Sequence, residues 1–117
     1  VNKILVVDNE ENIRLLYMEE LQDLGYEVIA ASNGNDAIKK FEIYQPDLII
    51  LDILMPGMNG IETMNIIREK SKDIPIILCT AYGEYKQDLN TWASDAYVIK
   101  SADLAELLTT VNRILPI

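Results

Sequence analysis

The chain has one cysteine, Cys79, among its 117 residues. No disulfide can therefore close within it, and such a chain suits a reducing cytoplasm. Positive charge is also scarce: 10 Lys and Arg stand against 19 Asp and Glu, a net charge of −9. Without clustered basic residues the chain has little means of holding nucleic acid by its phosphates, and the same deficit counts against anionic membranes. Glycine (5) and proline (4) are few while 50% of the residues are hydrophobic, which excludes a disordered or low-complexity chain. No uninterrupted apolar run approaches the ~20 residues of a membrane span, and the opening VNKILVVDNEEN lacks the features of a signal peptide. What is left is one globular domain, residues 1–117. A chain of this size buries roughly two-thirds of its unfolded surface and needs no disulfide or structural metal to fold.

Five short apolar runs alternate with five stretches of helical periodicity. The runs are Ile4–Val7, Glu27–Ala31, Asp47–Leu51, Ile76–Thr80 and Ala96–Lys100. The first, third and fourth are almost continuously Val, Ile and Leu, the pattern of parallel strands covered on both faces. The helical stripes are Ile13, Leu16, Tyr17, Leu21 and Leu24; Ala37, Ile38, Phe41 and Tyr44; Ile61, Met64 and Ile67; Tyr85, Leu89 and Trp92; and Leu104, Leu107, Leu108, Val111 and Leu115. Gly25 has the place of a helix C-terminal cap, and Asn59 with Glu62 and Asp103 with Glu106 have the spacing of capping boxes. Strict βα alternation with short connections predicts a parallel sheet with right-handed crossovers. Because a closed barrel needs about 250 residues, the sheet is expected to be open and doubly wound. Ligands of such sheets sit beyond the carboxyl ends of the strands.

At those ends stand Asp8-Asn9-Glu10 after the first run, Asp52 after the third, Thr80 closing the fourth and Lys100 closing the fifth. Singly, each has an ordinary explanation: a turn residue, a β-former, a solvated lysine. Together they are a chemistry. Oxygen ligands from Asp8, Asn9 and Asp52 suit a hard cation such as Mg²⁺, which takes one or two carboxylates and keeps several waters. A hydroxyl and an ammonium beside it suit a phosphoryl group, and a carboxylate can itself be phosphorylated. Cys79, inside an apolar run, reads as core packing.

The segments ILVVDNE, PDLIILDILMPGMNG, PIILCTAYG and DAYVIK stand in the order and spacing of one family. Over its whole length the chain resembles the receiver domain of two-component response regulators. The resemblance implies a flavodoxin-like (βα)5 fold with strand order 2-1-3-4-5. It implies that Asp52 accepts a phosphoryl group from a histidine of a sensor kinase or phosphotransfer protein, with no enzymatic activity beyond Mg²⁺-dependent self-phosphorylation and self-dephosphorylation. Asp8, Asn9, the Asp52 carboxylate and the Leu54 backbone carbonyl are then the Mg²⁺ ligands. Thr80 and Lys100 engage the phosphoryl group, and Thr80 with Tyr97 forms the switch. The output surface implied is the face of the fourth helix, fifth strand and fifth helix, used for a protein partner or a second copy. The absence of histidine rules out the donor role in such a relay. No effector sequence follows Ile117, so the reading covers a free-standing receiver and one cut from a longer regulator alike.

Four positions depart from the family pattern. Asn9 replaces the second acid of an acidic pair and removes one charge from the cation site. Ser101 replaces the proline that usually follows the lysine; a cis bond there costs about 2.5–4 kcal/mol without proline, so trans with a re-routed loop and cis held by its surroundings are both open, and capping of the last helix is the plain alternative role for Ser101. Leu54 and Tyr82 flank the path of hydrolytic water and shield it, which predicts slow loss of the phosphoryl group. Trp92 reads as core in preference to a partner anchor. Two other classes are weighed. A pseudo-receiver, binding partners without phosphorylation, conflicts with the presence of Asp52, Thr80 and Lys100. An aspartate-dependent phosphatase lacks a general acid at Leu54, and a flavin protein lacks a phosphate loop, since DNEENIR would repel one.

Overall fold

The computed structural model describes residues 2–81, 93–101 and 103–116. The fourth helical stripe, Tyr85, Leu89 and Trp92, lies outside them, as does Tyr82. Strands β1 (Lys3–Val7), β2 (Glu27–Ala31), β3 (Leu48–Leu51), β4 (Ile76–Thr80) and β5 (Ala96–Ile99) pair in parallel in the order β2-β1-β3-β4-β5. Helices α1 (Glu11–Asp23), α2 (Gly34–Tyr44), α3 (Gly60–Lys70) and α4 (Ala105–Ile114) complete the described elements; α4 is the fifth stripe of the sequence. This is the doubly wound sheet expected.

Alternation along the buried strands divides the core into two layers. Ile4, Val6, Leu48, Ile50, Ile77 and Cys79 face α1 and α4, where Tyr17, Leu21, Leu107 and Val111 cover them. Leu5, Val7, Ile49, Leu51, Ile76 and Leu78 face α2 and α3, where Ala37, Met64 and Ile67 cover them. All five residues of β4 and all four of β3 are buried, as continuous apolar strands between two helical layers require.

Three local expectations change. Leu16 and Leu24 of the first stripe are exposed (40% and 45%). Only Tyr17 and Leu21 of α1, one turn apart, are fully buried, because Leu16 lies over a surface groove shared with Leu104 and Leu108 instead of over the sheet. Asp103 and Glu106 form no capping box. The helix begins at Ala105, whose N–H donates to Asp103 Oδ1 (2.9 Å), and Leu104 at the cap position provides no side-chain acceptor. Asp47 and Lys100 fall just outside their strands; Asp47 instead accepts the Lys3 N–H through its carboxylate (2.8 Å). The Asn59–Glu62 capping box forms in full.

Gly25 ends α1 with φ of 101°, and its N–H donates to the Gln22 carbonyl (2.9 Å). A Cβ is strained in that backbone, so Gly25→Ala is expected to lower stability by about 1–2 kcal/mol, measured by urea denaturation.

Candidate functional site

Parallel pairing brings every strand's carboxyl end to one edge. Because β1, β3, β4 and β5 are consecutive in the sheet, the residues leaving them are neighbours. Backbone ladders extend just past the strands and fix them there: the Asp52 N–H donates to the Val7 carbonyl (3.0 Å) and the Lys100 N–H to the Thr80 carbonyl (2.7 Å).

Two carboxylates are thereby buried against one ammonium. Asp8 is 2% exposed and Asp52 4%. Lys100 Nζ lies 2.7 Å from Asp8 Oδ2 and 3.3 Å from Asp52 Oδ2. The remaining oxygen of Asp8 accepts the Glu10 N–H (2.9 Å). Burial, and then the charge of Asp8, push the Asp52 carboxyl up to about 6, against the pull of Lys100 and of the Leu54 N–H. Burial disfavours the charge on Lys100, but its hydrogen bond with Asp8 and the charge of Asp52 outweigh that and hold its pKa above the ordinary value. With both carboxylates ionised the set carries one excess negative charge.

Thr80 is fully buried, and its hydroxyl has no hydrogen-bond partner among the described residues. A buried hydroxyl left unpaired costs about 1–3 kcal/mol. Asn9, Glu10, Asp52, Leu54, Thr80, Ala81 and Lys100 line a common cavity of about 230 Å³. Asp8, bonded to Lys100, borders the same cluster.

The sequence-predicted set Asp8, Asn9, Asp52, Leu54, Thr80 and Lys100 is thus assembled at one place. Tyr97 is not in it: half-buried on β5, it packs against the core layer under α2 and α3. The Lys100-Ser101 bond is trans, since the described chain has no cis peptide. The Ser101 hydroxyl donates to the Asp103 carbonyl (2.6 Å) and accepts the Asp103 N–H (3.2 Å), so it shapes the loop and does not cap α4. Sequence reasoning missed Arg14, whose Nη1 donates to the Asp8 carbonyl (2.7 Å) and ties the loop after β1 to α1. The signal was there: a cation near the N-terminus of a helix, where the dipole disfavours it, needs a local acceptor. Also unforeseen is the contact of the Tyr17 hydroxyl with Cys79 Sγ (3.5 Å) beneath the site, where burial pushes the thiol up to about 11.

Comparison with known proteins agrees with this geometry. A sequence model described as the response regulator receiver domain matches residues 4–112. The chain belongs to that family. TrrA, a response regulator of Thermotoga maritima solved in complex with Mg²⁺-BeF, is 52% identical, with a TM-score of 0.95, over 98% of this chain and all of that one. The regulatory protein AtoC of Escherichia coli is 38% identical over 98% of this receiver but only 25% of its own length. The sporulation initiation phosphotransferase F of Bacillus subtilis is 34% identical, covering 98% of this chain and 94% of that protein. The receiver therefore spans a quarter of one relative and nearly the whole of another. No helix among the described residues is long and apolar enough to cross a membrane.

The raised pKa of Asp52 has a sign that can be measured. Protonation is easier in the folded receiver (about 6) than in the unfolded chain (3.8). The cation-free fold therefore bears a penalty that is complete above about 6 and lifts as pH falls toward 3.8. Asp52→Asn is expected to stabilise the cation-free receiver by about 1–3 kcal/mol at neutral pH. The gain should shrink on acidification toward pH 4, as followed by urea denaturation across pH.

Proposed function

We propose that this receiver domain, spanning residues 1–117, is a phosphorylation switch whose acceptor is Asp52. The observation that carries the reading is the cluster itself: two buried carboxylates sharing one ammonium, beside a buried hydroxyl with no partner among the described residues. Such a set is one cation short, and its donors fit Mg²⁺. Among the described residues no group of three or more acidic, His or Cys side chains could hold a metal ion. A site with two carboxylates, completed by the Asn9 amide oxygen, the Leu54 carbonyl and water, suits Mg²⁺ in particular. When bound, Mg²⁺ neutralises the carboxylates and draws charge from the phosphoryl oxygens. The likeness to TrrA, which was also solved in complex with the histidine kinase ThkA at 51% identity to this chain, supports a sensor kinase or phosphotransfer protein as donor.

The residues then have distinct tasks. An Asp52 carboxylate oxygen attacks the phosphorus of a phosphohistidine; the P–N bond breaks and the imidazole leaves with the bonding pair. Lys100, already at the cluster, pairs with the incoming phosphoryl oxygens. The Thr80 hydroxyl finds in them the acceptor it lacks. Its movement frees space behind it, into which Tyr97 turns, and the face around β5 and α4 changes for a partner or second copy. The receiver is no enzyme beyond this self-phosphorylation and self-dephosphorylation, in which water takes the phosphoryl group from Asp52. A cytoplasmic location belongs to the same reading; a kinase or phosphotransfer donor and a free thiol at Cys79 are consistent with it.

Incubation with acetyl phosphate and Mg²⁺, read by intact mass, should give one phosphoryl adduct that is lost in Asp52→Asn. No adduct on the parent chain would instead mean a pseudo-receiver. The missing charge at Asn9 should weaken cation binding, so Asn9→Asp is expected to tighten Mg²⁺ by about an order of magnitude, measured by titration. Equal affinities would contradict that role. Leu54, 42% exposed at the rim of the cavity, offers no hydrogen bond to an attacking water. Leu54→Asn combined with Tyr82→Glu is expected to shorten the phosphoryl half-life several-fold, and an unchanged half-life would exclude shielding as its cause.

A further inference from the structure

Two helices of the receiver begin with a glycine, Gly34 in α2 and Gly60 in α3. Neither needs glycine for its backbone: the positive-φ glycines among the described residues are Gly25 and Gly57, and alanine is the better helix former. What distinguishes the two positions is the space where a Cβ would stand. At Gly34 that Cβ would meet side chains, the Thr63 hydroxyl at 2.4 Å and Met58 Sδ at 3.0 Å. At Gly60 it would meet backbone, lying 2.0 Å from the Asp52 carbonyl oxygen and 2.8 Å from both the Asp52 carbonyl carbon and Ile53 Cα. Of the two, only the Gly60 contact is with the backbone of Asp52 itself.

Both sides of this contact are held. The Asp52 N–H is tied to the Val7 carbonyl (3.0 Å), and the Gly60 N–H to the Ile53 carbonyl (2.8 Å). The start of α3 is fixed by the Asn59–Glu62 capping box and by the Thr63 hydroxyl donating to the Asn59 carbonyl (2.8 Å). The first turn of α3 therefore rests directly on the peptide that follows Asp52. We infer that Gly60 is a positioning residue: by lacking a side chain it lets α3 clamp the Asp52 peptide and aim the carboxylate at the cavity shared with Thr80 and Lys100. This rests on Asp52 being the acceptor. Any side chain at Gly60 must push α3 or the Asp52 peptide, and a displacement of about 1 Å at a reacting group costs on the order of 100-fold in rate.

Gly25, which ends α1 at the sheet edge opposite the site, provides the control. Gly60→Ala is expected to slow phosphoryl uptake from acetyl phosphate about 10–100-fold and to shift the Asp52 and Ile53 amide resonances of the metal-free receiver. Gly25→Ala is expected to lose thermal stability while keeping the parent rate and leaving those resonances in place. Adding Asn59→Gly to Gly60→Ala releases the cap and lets the helix start yield, so part of the rate should return even as stability falls further. A merely structural glycine would give no such split. Should Gly60→Ala unfold, the same comparison is made in trimethylamine N-oxide, which favours the compact state. Uptake by Gly60→Ala at the parent rate with unmoved resonances overturns the inference and leaves Asp52 as acceptor. Failure of the parent chain itself to take up a phosphoryl group overturns the acceptor reading, and the positioning role with it.

Discussion

Lys100 holds two buried carboxylates, Asp8 at 2.7 Å and Asp52 at 3.3 Å, and one ammonium cannot neutralise both. Everything chemically distinctive about the receiver follows from that imbalance. Burying a carboxylate in low dielectric is expensive unless a countercharge accompanies it, and here half of the countercharge is missing. The Asp52 carboxyl responds by drifting up to about 6. The same deficit makes the edge receptive to a cation, and with that cation to a phosphoryl group. The cost of burying Asp52 beside Asp8 and the attraction of a cation to that edge have one origin.

The fold exists, in this sense, to impose the imbalance. Parallel strands with fully apolar bodies carry each polar residue to the same edge and leave it nowhere else to go. β3 and β4 are buried end to end, so Asp52 and Thr80 emerge from rigid supports. Arg14 fastens the Asp8 loop from α1 through the Asp8 carbonyl, and α3 presses on the Asp52 peptide at Gly60. The Thr80 hydroxyl, buried with no hydrogen-bond partner among the described residues, lines the same cavity.

Much of this was legible in the sequence, for identifiable reasons. The strands were readable because two-sided burial writes continuous apolar runs, and the site followed because parallel topology converts strand ends into neighbours. Helix edges were less readable. The Asp103–Glu106 spacing matches a capping box, yet α4 starts at Ala105 and Asp103 bonds the Ala105 N–H; a motif's spacing does not say where the chain turns. Leu16 fits the stripe of α1 but sits over a groove, because periodicity gives a face and not its width. Arg14 stands out as a cation near a helix N-terminus, but its acceptor is a backbone carbonyl, which no residue type in the sequence names. Nor does Gly60 announce the peptide it touches, since close approach is a property of two segments.

The central claim is that Lys100 alone does not balance Asp8 and Asp52, and that Asp52 bears the consequence. A ¹³C titration of the Asp52 side-chain carboxyl in metal-free protein tests it directly. A midpoint near 6 is the expected result; a midpoint at or below the ordinary 3.8 would mean that Lys100 fully compensates Asp52, and would contradict the account.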